Sequence, residues 1–186
     1  MIRLLLVLVV LLAGCGASTV DGTASGSGGS CLPPPPSTPV VVPGGPVVAR
    51  IPDLTLDCFS GGGTVRLTEL HRPAIVNLWA SWCGPCRTEL PAFQRFANAV
   101  GDRVLVLGVD TDDTRDAGAG LLHDAKVSFP NLSDPKRRLM SAVGRGALPV
   151  TLFVDADGGV RYVYNDVALD DAGLAGLART HLGVGT

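Results

Sequence analysis

The strongest chemical signal in this sequence is a pair of cysteines, Cys83 and Cys86, separated by Gly84 and Pro85. Two thiols at this spacing can close a small disulfide ring and open it again. The pair follows an apolar run, 74–80, and precedes a helical pattern. Cys83 is therefore expected at a helix N-terminus, where the positive end of the dipole favours its thiolate. We predict a redox-active dithiol with Cys83 as the nucleophile and Cys86 as the more buried, resolving thiol.

A cysteine pair of this spacing can also be half of a zinc site, which needs a second pair of Cys or His ligands. The other cysteines are isolated in the sequence, and the three histidines are scattered. A purely structural disulfide is the remaining alternative, although a bridge across two residues adds little loop-closure stabilisation. We predict no metal, and no cofactor other than the Cys83–Cys86 disulfide.

The composition indicates one folded domain and gives no sign of nucleic-acid binding. Of the 186 residues 46% are hydrophobic, and the formal net charge is −2, without a basic excess. Glycine and proline are concentrated before residue 50. This pattern divides the chain into a leader, 1–14, a Gly/Ser/Pro-rich tether, 15–49, and a folded domain, 50–186.

The leader has one cation, an aliphatic run and small residues, as in a secretory signal peptide. Its apolar run is shorter than the roughly 20 residues that a membrane-spanning helix needs. Residues 12–15, Leu-Ala-Gly-Cys, resemble a bacterial lipobox, which predicts lipidation of Cys15; ordinary signal cleavage with an incidental cysteine is the alternative. We expect a lipid-anchored protein on the outer face of the cytoplasmic membrane, in the cell envelope, where disulfides form.

The rest of the sequence predicts the elements that must position the cysteines. Strands and helices alternate, which is typical of an α/β fold with a mixed sheet flanked by helices. The predicted elements are a hairpin (54–58 and 64–67), a central strand (74–80), a helix (85–100) kinked at Pro91, a strand (104–109), helices (115–126 and 135–143), a second hairpin (150–154 and 160–164) and a closing helix (170–182).

Residues 79–91, WASWCGPCRTELP, resemble the thioredoxin superfamily, in particular its membrane-tethered TlpA/ResA-like branch. Residues 146–153, GALPVTLF, are similar to the superfamily segment in which a cis-proline, here Pro149, faces the active disulfide. The resemblance covers about residues 51–183. It implies a thioredoxin-like fold with an N-terminal β-hairpin and an inserted strand-helix unit, for which 104–126 is the candidate.

The resemblance also implies roles for single residues. Glu89 would transfer protons to and from the resolving thiol, although a glutamate in a first helical turn can simply complement the helix dipole. Asn77 stands where thioredoxin has a buried aspartate, which moves the handling of protons to Glu89. A cis bond between Leu148 and Pro149 would let the adjacent backbone pair with an extended substrate. The candidate residues of the substrate groove are Trp82, Gly84, Pro85 and Leu148.

Two cysteines, Cys31 and Cys58, remain after these assignments. In an exported protein, leftover cysteines are more often paired than free. They are our candidates for a structural disulfide that pins the end of the tether to the first hairpin.

Together these features predict a thiol-disulfide oxidoreductase of the cell envelope. Its expected partners are exported proteins with disulfides or thiols and a membrane redox partner. The Gly-Pro dipeptide also occurs in thioredoxin, which has a low potential, so a reductase is favoured, as in cytochrome c maturation. A disulfide-forming oxidase and a metal-binding chaperone on the same fold are the alternatives. Asp110 and Asp112 follow a buried strand as in haloacid-dehalogenase-like phosphatases, which is the rival from another class.

Overall fold

The fold is described from a computed structural model, in which residues 30–37, 40–42 and 45–185 are described. The predicted leader and the predicted lipidation site, Cys15, lie outside these residues. The strands are β1 (Ala49–Arg50), β2 (Thr55–Cys58), β3 (Thr64–Arg66), β4 (Ala74–Trp79), β5 (Leu105–Thr111), β6 (Asn131–Asp134), β7 (Val150–Val154) and β8 (Gly159–Tyr164). The α-helices are α1 (Gly84–Val100), α2 (Arg115–Asp124), α3 (Arg138–Ala142) and α4 (Asp171–Leu182), and two 3₁₀ helices span Leu67–Glu69 and Gly101–Arg103.

One sheet of eight strands organises the domain, in the order β1-β8-β7-β4-β5-β6-β2-β3. Strands β4, β5 and β6 are parallel, and all other neighbours are antiparallel. The prediction of a mixed sheet flanked by helices is therefore confirmed. The candidate insertion, 104–126, contains β5 and α2, and β5 lies directly beside β4.

The central strand β4 is buried along its whole length because helices cover both faces of the sheet. Val76 and Leu78 belong to the core cluster that includes α3, whereas Ile75 and Trp79 belong to the cluster that includes α1 and α4. Side chains of a strand alternate between its two faces, so an apolar run such as this one suits a strand with a core on each side. The carboxyl end of β4 leads directly to Cys83.

Helix α1 begins at the dithiol and runs through Pro91 without a break. Cys83 is its N-cap residue, and Pro85 lies in the first turn, where a missing backbone N–H costs nothing. At the other end Gly101 has φ +59°, and its N–H donates to the carbonyl of Ala97. Left-handed backbone of this kind favours glycine. The sequence thus sets both ends of the helix that carries the cysteines.

The described residues before β1, namely 30–37, 40–42 and 45–48, lie against the domain, and we call them the N-terminal strap. A disulfide joins Cys31 to Cys58 in β2. Further along, the buried guanidinium of Arg72 donates to the carbonyls of the prolines at 33 and 34. The N–H of Val48 then donates to the carbonyl of Val160 at 2.8 Å, beside the pairing of β1 with β8. In the chain-entropy picture, closing the disulfide loop of sequence separation 27 stabilises the fold by about 3 to 4 kcal/mol.

Gly108 in β5 leaves the space in which two neighbouring side chains meet. The Nε1 of Trp79 donates to Oδ1 of Asn131 at 2.9 Å, next to the backbone of Gly108. A Cβ at position 108 would lie 1.8 Å from that oxygen and 2.8 Å from Trp79 Nε1. Any side chain at position 108 must therefore break the buried hydrogen bond between Trp79 and Asn131.

We therefore expect Gly108→Ala to lower the free energy of unfolding by about 2 to 4 kcal/mol, because it adds overpacking to a lost hydrogen bond. Urea unfolding monitored by circular dichroism measures the change. Gly120→Ala is the matched control, since nothing lies within 4 Å of a Cβ built there. In the middle of α2 this substitution is expected to stabilise the protein slightly. Equal effects of the two substitutions would contradict the prediction.

Candidate active site

The two cysteines of the predicted dithiol form a disulfide at the N-terminus of α1. The backbone N–H of Cys86 donates to Cys83 Sγ at 3.2 Å, so the sulfur of Cys83 caps the helix. Cys83 is 5% exposed and Cys86 is 0% exposed. A helix N-terminus favours negative charge on the sulfur that it faces. The arrangement suits attack by Cys83 and resolution by Cys86.

A buried carboxyl group lies one helical turn after Cys86, at Glu89. Its Oε1 accepts from Nδ2 of Asn77 at 2.7 Å, and its Oε2 accepts from the backbone N–H of Leu169 at 3.1 Å. Burial raises the pKa of Glu89 to about 7, although these two hydrogen bonds oppose the shift. A carboxyl group with this pKa can both accept and return a proton near neutral pH.

Asn77 is the residue that orients this carboxyl group. It lies in β4 opposite Thr151 of β7, and its Nδ2 also approaches Oγ1 of Thr151 at 3.3 Å. Asn77, which stands where thioredoxin has a buried acid, thus donates a hydrogen bond to Glu89. The only buried ionisable carboxyl group in direct contact with Asn77 in the described structure is Glu89.

A shallow groove adjoins the dithiol beside the loop that precedes β7. The Leu148–Pro149 peptide bond is cis, and Asn165 donates to the carbonyls of Ala147 and Pro149 at 3.0 and 2.7 Å. The groove has a volume of about 260 Å³ and is lined by Trp82, Asp112, Arg137, Met140, Gly146, Ala147 and Leu148. Of the predicted groove residues, Trp82 and Leu148 line it, whereas Gly84 and Pro85 are exposed on the first turn of α1 outside it.

Comparison with known families covers most of this domain. Residues 47–163 match the AhpC/TSA family, a range that includes the dithiol, Glu89 and the cis-proline. The chain belongs to the AhpC/TSA family. This membership confirms the resemblance to the thioredoxin superfamily that residues 79–91 and 146–153 indicate.

Relatives of this AhpC/TSA family member bear names from thiol and disulfide chemistry. The thiol:disulfide interchange protein DsbE of Pseudomonas fluorescens biotype C is 30% identical over 130 residues, or 68% of this chain and 70% of the relative. A DsbE homologue of Paracoccus denitrificans is 38% identical over 101 residues, or 52% of this chain and 54% of that protein. The chain thus spans little more than half the length of the Paracoccus relative.

A solved structure shares the fold of this family member. It is a secreted Mycobacterium tuberculosis disulfide oxidoreductase, homologous to Escherichia coli DsbE, with a TM-score of 0.62 and 23% identity. The superposition covers 69% of this chain and 96% of the other. The thioredoxin-like fold that the resemblance implies is therefore confirmed.

Three residues that the structure places around the site were not predicted as part of it from the sequence. Leu169 and Asn165 reach it from the loop between β8 and α4, and Asp113 reaches it from the loop after β5. One available signal was the parallel pairing of β4 with β5, because the carboxyl ends of parallel strands meet at one edge of a sheet. The loop after β5 must therefore lie beside the loop that precedes Cys83.

Asp110 and Asp112, the two acids that the phosphatase-like pattern requires, do not face one common site. Asp110 is buried, whereas the carboxylate of Asp112 lies 3.5 Å from Nη1 of Arg137 at the groove. Within residues 30–37, 40–42 and 45–185, no group of three or more His, Cys, Asp or Glu side chains is arranged to hold a metal ion. None of the helices described there is long and apolar enough to cross a membrane.

The raised pKa of Glu89 predicts how stability changes with pH. Between its ordinary value of 4.5 and about 7 the folded protein holds a proton that the unfolded chain releases. This contribution is therefore complete below pH 4.5 and is lost as the pH rises through about 7. The shift corresponds to about 3 kcal/mol.

We expect the oxidised Glu89→Gln variant to lose less unfolding free energy than the natural protein between pH 5 and pH 8, values that bracket most of this titration. Urea titrations at several pH values measure the two slopes. The exposed Glu69 provides the control, since Glu69→Gln should keep the natural slope. Identical slopes for all three proteins would refute the assignment of a buried, protonated Glu89.

Proposed function

We propose that this protein is a thiol-disulfide oxidoreductase of the cell envelope that exchanges disulfides with exported proteins through Cys83 and Cys86. The observation that carries the proposal is the difference between the two sulfurs. Cys83 caps α1 and keeps 5% of its surface exposed, whereas Cys86 is fully buried, with a carboxyl group of pKa about 7 one turn further on. The names of the relatives support the same chemistry.

In the reducing direction, the Cys83 thiolate attacks one sulfur of a substrate disulfide. A bond forms between Cys83 and the substrate, and the other substrate sulfur leaves as a thiolate that takes up a proton. Cys86 gives its proton to Glu89 and attacks Cys83 Sγ. The substrate then leaves with both sulfurs reduced, and the Cys83–Cys86 disulfide remains. A membrane dithiol partner returns two electrons for the next cycle.

Glu89 serves this cycle because its surroundings keep it ready to exchange a proton. The hydrogen bonds from Asn77 and Leu169 stabilise its carboxylate, while burial stabilises the protonated form. When Cys86 loses its proton inside the core, a carboxylate one turn away can take it without admitting water.

The groove beside the cis-proline is the proposed binding site for the substrate. Trp82 is 61% exposed and forms one wall, and Leu148 stands next to the backbone that an extended peptide would pair with. An exposed indole offers apolar contact without demanding one sequence. This suits a protein that acts on several exported substrates, including the haem-binding cysteines of c-type cytochromes.

We propose that the anchor is a lipid on Cys15 and that the domain works outside the cytoplasm. The Cys31–Cys58 disulfide supports this location, because structural disulfides persist in oxidising compartments. The secreted Mycobacterium tuberculosis protein of the same fold is consistent with it. A donor or acceptor of electrons in the same membrane would then exchange electrons with the dithiol.

Trapping tests the proposed order of attack. Without Cys86, the first step occurs and the second cannot, so Cys86→Ser should accumulate disulfide-linked complexes with exported proteins. Cys83→Ser should form none, although it keeps one active-site cysteine. Non-reducing electrophoresis followed by mass spectrometry identifies the linked proteins, and equal yields from the two variants would contradict the assignment.

The same complexes test whether the protein is anchored to the membrane through Cys15. They should appear in the membrane fraction and move to the soluble fraction when Cys15→Ser is added, because the lipid attachment atom is then missing. Complexes that stay with the membrane after this change would contradict lipidation at Cys15.

The reduction potential of the Cys83–Cys86 pair tests the direction. Equilibration with glutathione or dithiothreitol buffers gives the potential directly. A value near the roughly −270 mV of thioredoxin is expected for a reductase. A value near the roughly −120 mV of DsbA would instead assign the protein to disulfide formation.

A further inference from the structure

The loop between β4 and the dithiol is held by a second loop, the one after β5. The backbone N–H of Ser81 donates to Oδ2 of Asp113 at 2.5 Å, and Nε1 of Trp82 donates to the carbonyl of Asp112 at 2.9 Å. Ser81 is two residues before Cys83. The position of the nucleophile is therefore tied to the carboxylate of Asp113.

The loop after β5 is itself fixed on its other side. Asp112 has φ +57°, its N–H donates to the carbonyl of Asp134 at 3.2 Å, and its side chain pairs with Arg137. The fully buried carboxylate of Asp134 accepts from the N–H groups of Arg138 and Leu139 at the start of α3. The loop after β5 is thus held on one side by Asp134 and Arg137 and contacts Ser81 and Trp82 on the other. Asp113 can therefore act as a fixed hydrogen-bond acceptor.

Behind Asp113 lies a second carboxyl group that the disulfide chemistry above does not use. Asp110 is 1% exposed and lies beside Trp79 in the register of β4 and β5. Its Oδ1 has no hydrogen-bond partner among the described residues, and its Oδ2 would lie 2.9 Å from a Cβ at Gly118 of α2. A side chain so enclosed, with one oxygen unpaired, is costly when ionised.

The surroundings of Asp110 favour a shared proton. Burial, followed by the charge of Asp113 and a hydrogen bond with it, raises the pKa of Asp110 to about 7, and Arg115 of α2 acts in the opposite direction. The neighbours on the adjacent strands, Trp79 and Ser133, are uncharged. Below about pH 7 Asp110 is therefore mostly protonated and can donate to Asp113, whose Oδ2 accepts from the N–H of Ser81.

We propose that Asp113 is a positioning residue for Cys83, holding the Ser81 N–H, and that Asp110 is its buried hydrogen-bond donor. The proposal rests on the proposed function only in naming Cys83 as the nucleophile. The carboxyl pair sets the orientation of the loop from which Cys83 enters α1. Loss of the acceptor frees this loop and turns the Cys83 sulfur away from the helix N-terminus.

The reactivity of Cys83 tests this directly. In a full chain carrying Cys15→Ser and Cys86→Ser, with the Cys31–Cys58 disulfide intact, Cys83 is the single free thiol. Its rate of alkylation by iodoacetamide, measured from pH 5 to pH 9, reports the thiolate. We expect Asp113→Ala to slow the reaction at pH 7 by about tenfold, a shift of about one unit in the thiolate titration. Asp113→Asn keeps an acceptor oxygen and should react at least as fast as the parent.

Asp113→Ala and Asp113→Asn together distinguish the effect of the lost hydrogen-bond acceptor from the effect of the lost negative charge. Both remove a negative charge, which alone would favour the thiolate of Cys83 and speed up both variants equally. An opposite response of Ala and Asn supports the proposal, whereas equal responses, or none, overturn it. Asp116→Asn removes an exposed charge in the first turn of α2 and should leave the rate unchanged.

A second readout needs no destabilising variant. In the NMR spectrum of the oxidised protein, the Ser81 amide proton should shift with a midpoint near pH 7 as Asp110 ionises. Asp110→Asn, which donates at every pH, should abolish this step while the amide remains hydrogen-bonded. A Ser81 amide without the step in the natural protein would overturn the proposal. Neither readout involves a substrate disulfide, so failure of the oxidoreductase assays would leave this test intact.

Discussion

The placement of the N-terminus of α1 over the carboxyl end of β4 is the constraint on which the rest of the structure depends. A reactive sulfur needs a partial positive charge beside it and access from solvent, while its partner must be kept inside. One strand with a core on each face, followed by a helix capped by its own cysteine, places the sulfur of Cys83 at the positive end of α1 and leaves Cys86 fully buried. The flanking strands and helices keep this junction rigid, because β4 pairs on both sides and α1 packs against α4.

Two buried acids share one face of the sheet with the dithiol, and they do so in different ways. Glu89 accepts two hydrogen bonds from uncharged donors, which leaves its carboxyl group able both to release and to take up a proton. For Asp110, burial first, and then the charge of Asp113 and a hydrogen bond with it, raise the pKa to about 7. The first environment suits repeated transfer, whereas the second suits a stable hydrogen bond. In their proposed roles, Glu89 transfers protons and Asp110 holds a hydrogen bond, although both are carboxyl groups.

The sequence predicted the parts of the fold whose signals are local. The dithiol, both hairpins and helices α1 and α4 follow from apolar periodicity, turn residues and capping. Strand β6 was missed because three of its four residues, Asn131, Ser133 and Asp134, are polar and yet buried. Asn131 accepts from Trp79, and Asp134 caps α3, so tertiary hydrogen bonds replace the apolar contacts that a pattern search expects. Strand β1 has two residues and exists only through its pairing with β8.

The course of the strap determines which side of the domain is left uncovered next to Cys83. Its course follows the amino ends of the parallel strands, passing Arg72 just before β4 and the segment just before β6. Cys83 stands at the far pole, beyond the carboxyl ends of the same strands. Ser30, the first described residue, and Cys83 therefore lie on opposite sides of the sheet's parallel strands. A protein that approaches Cys83 at the carboxyl ends of β4 and β5 therefore does not meet the strap.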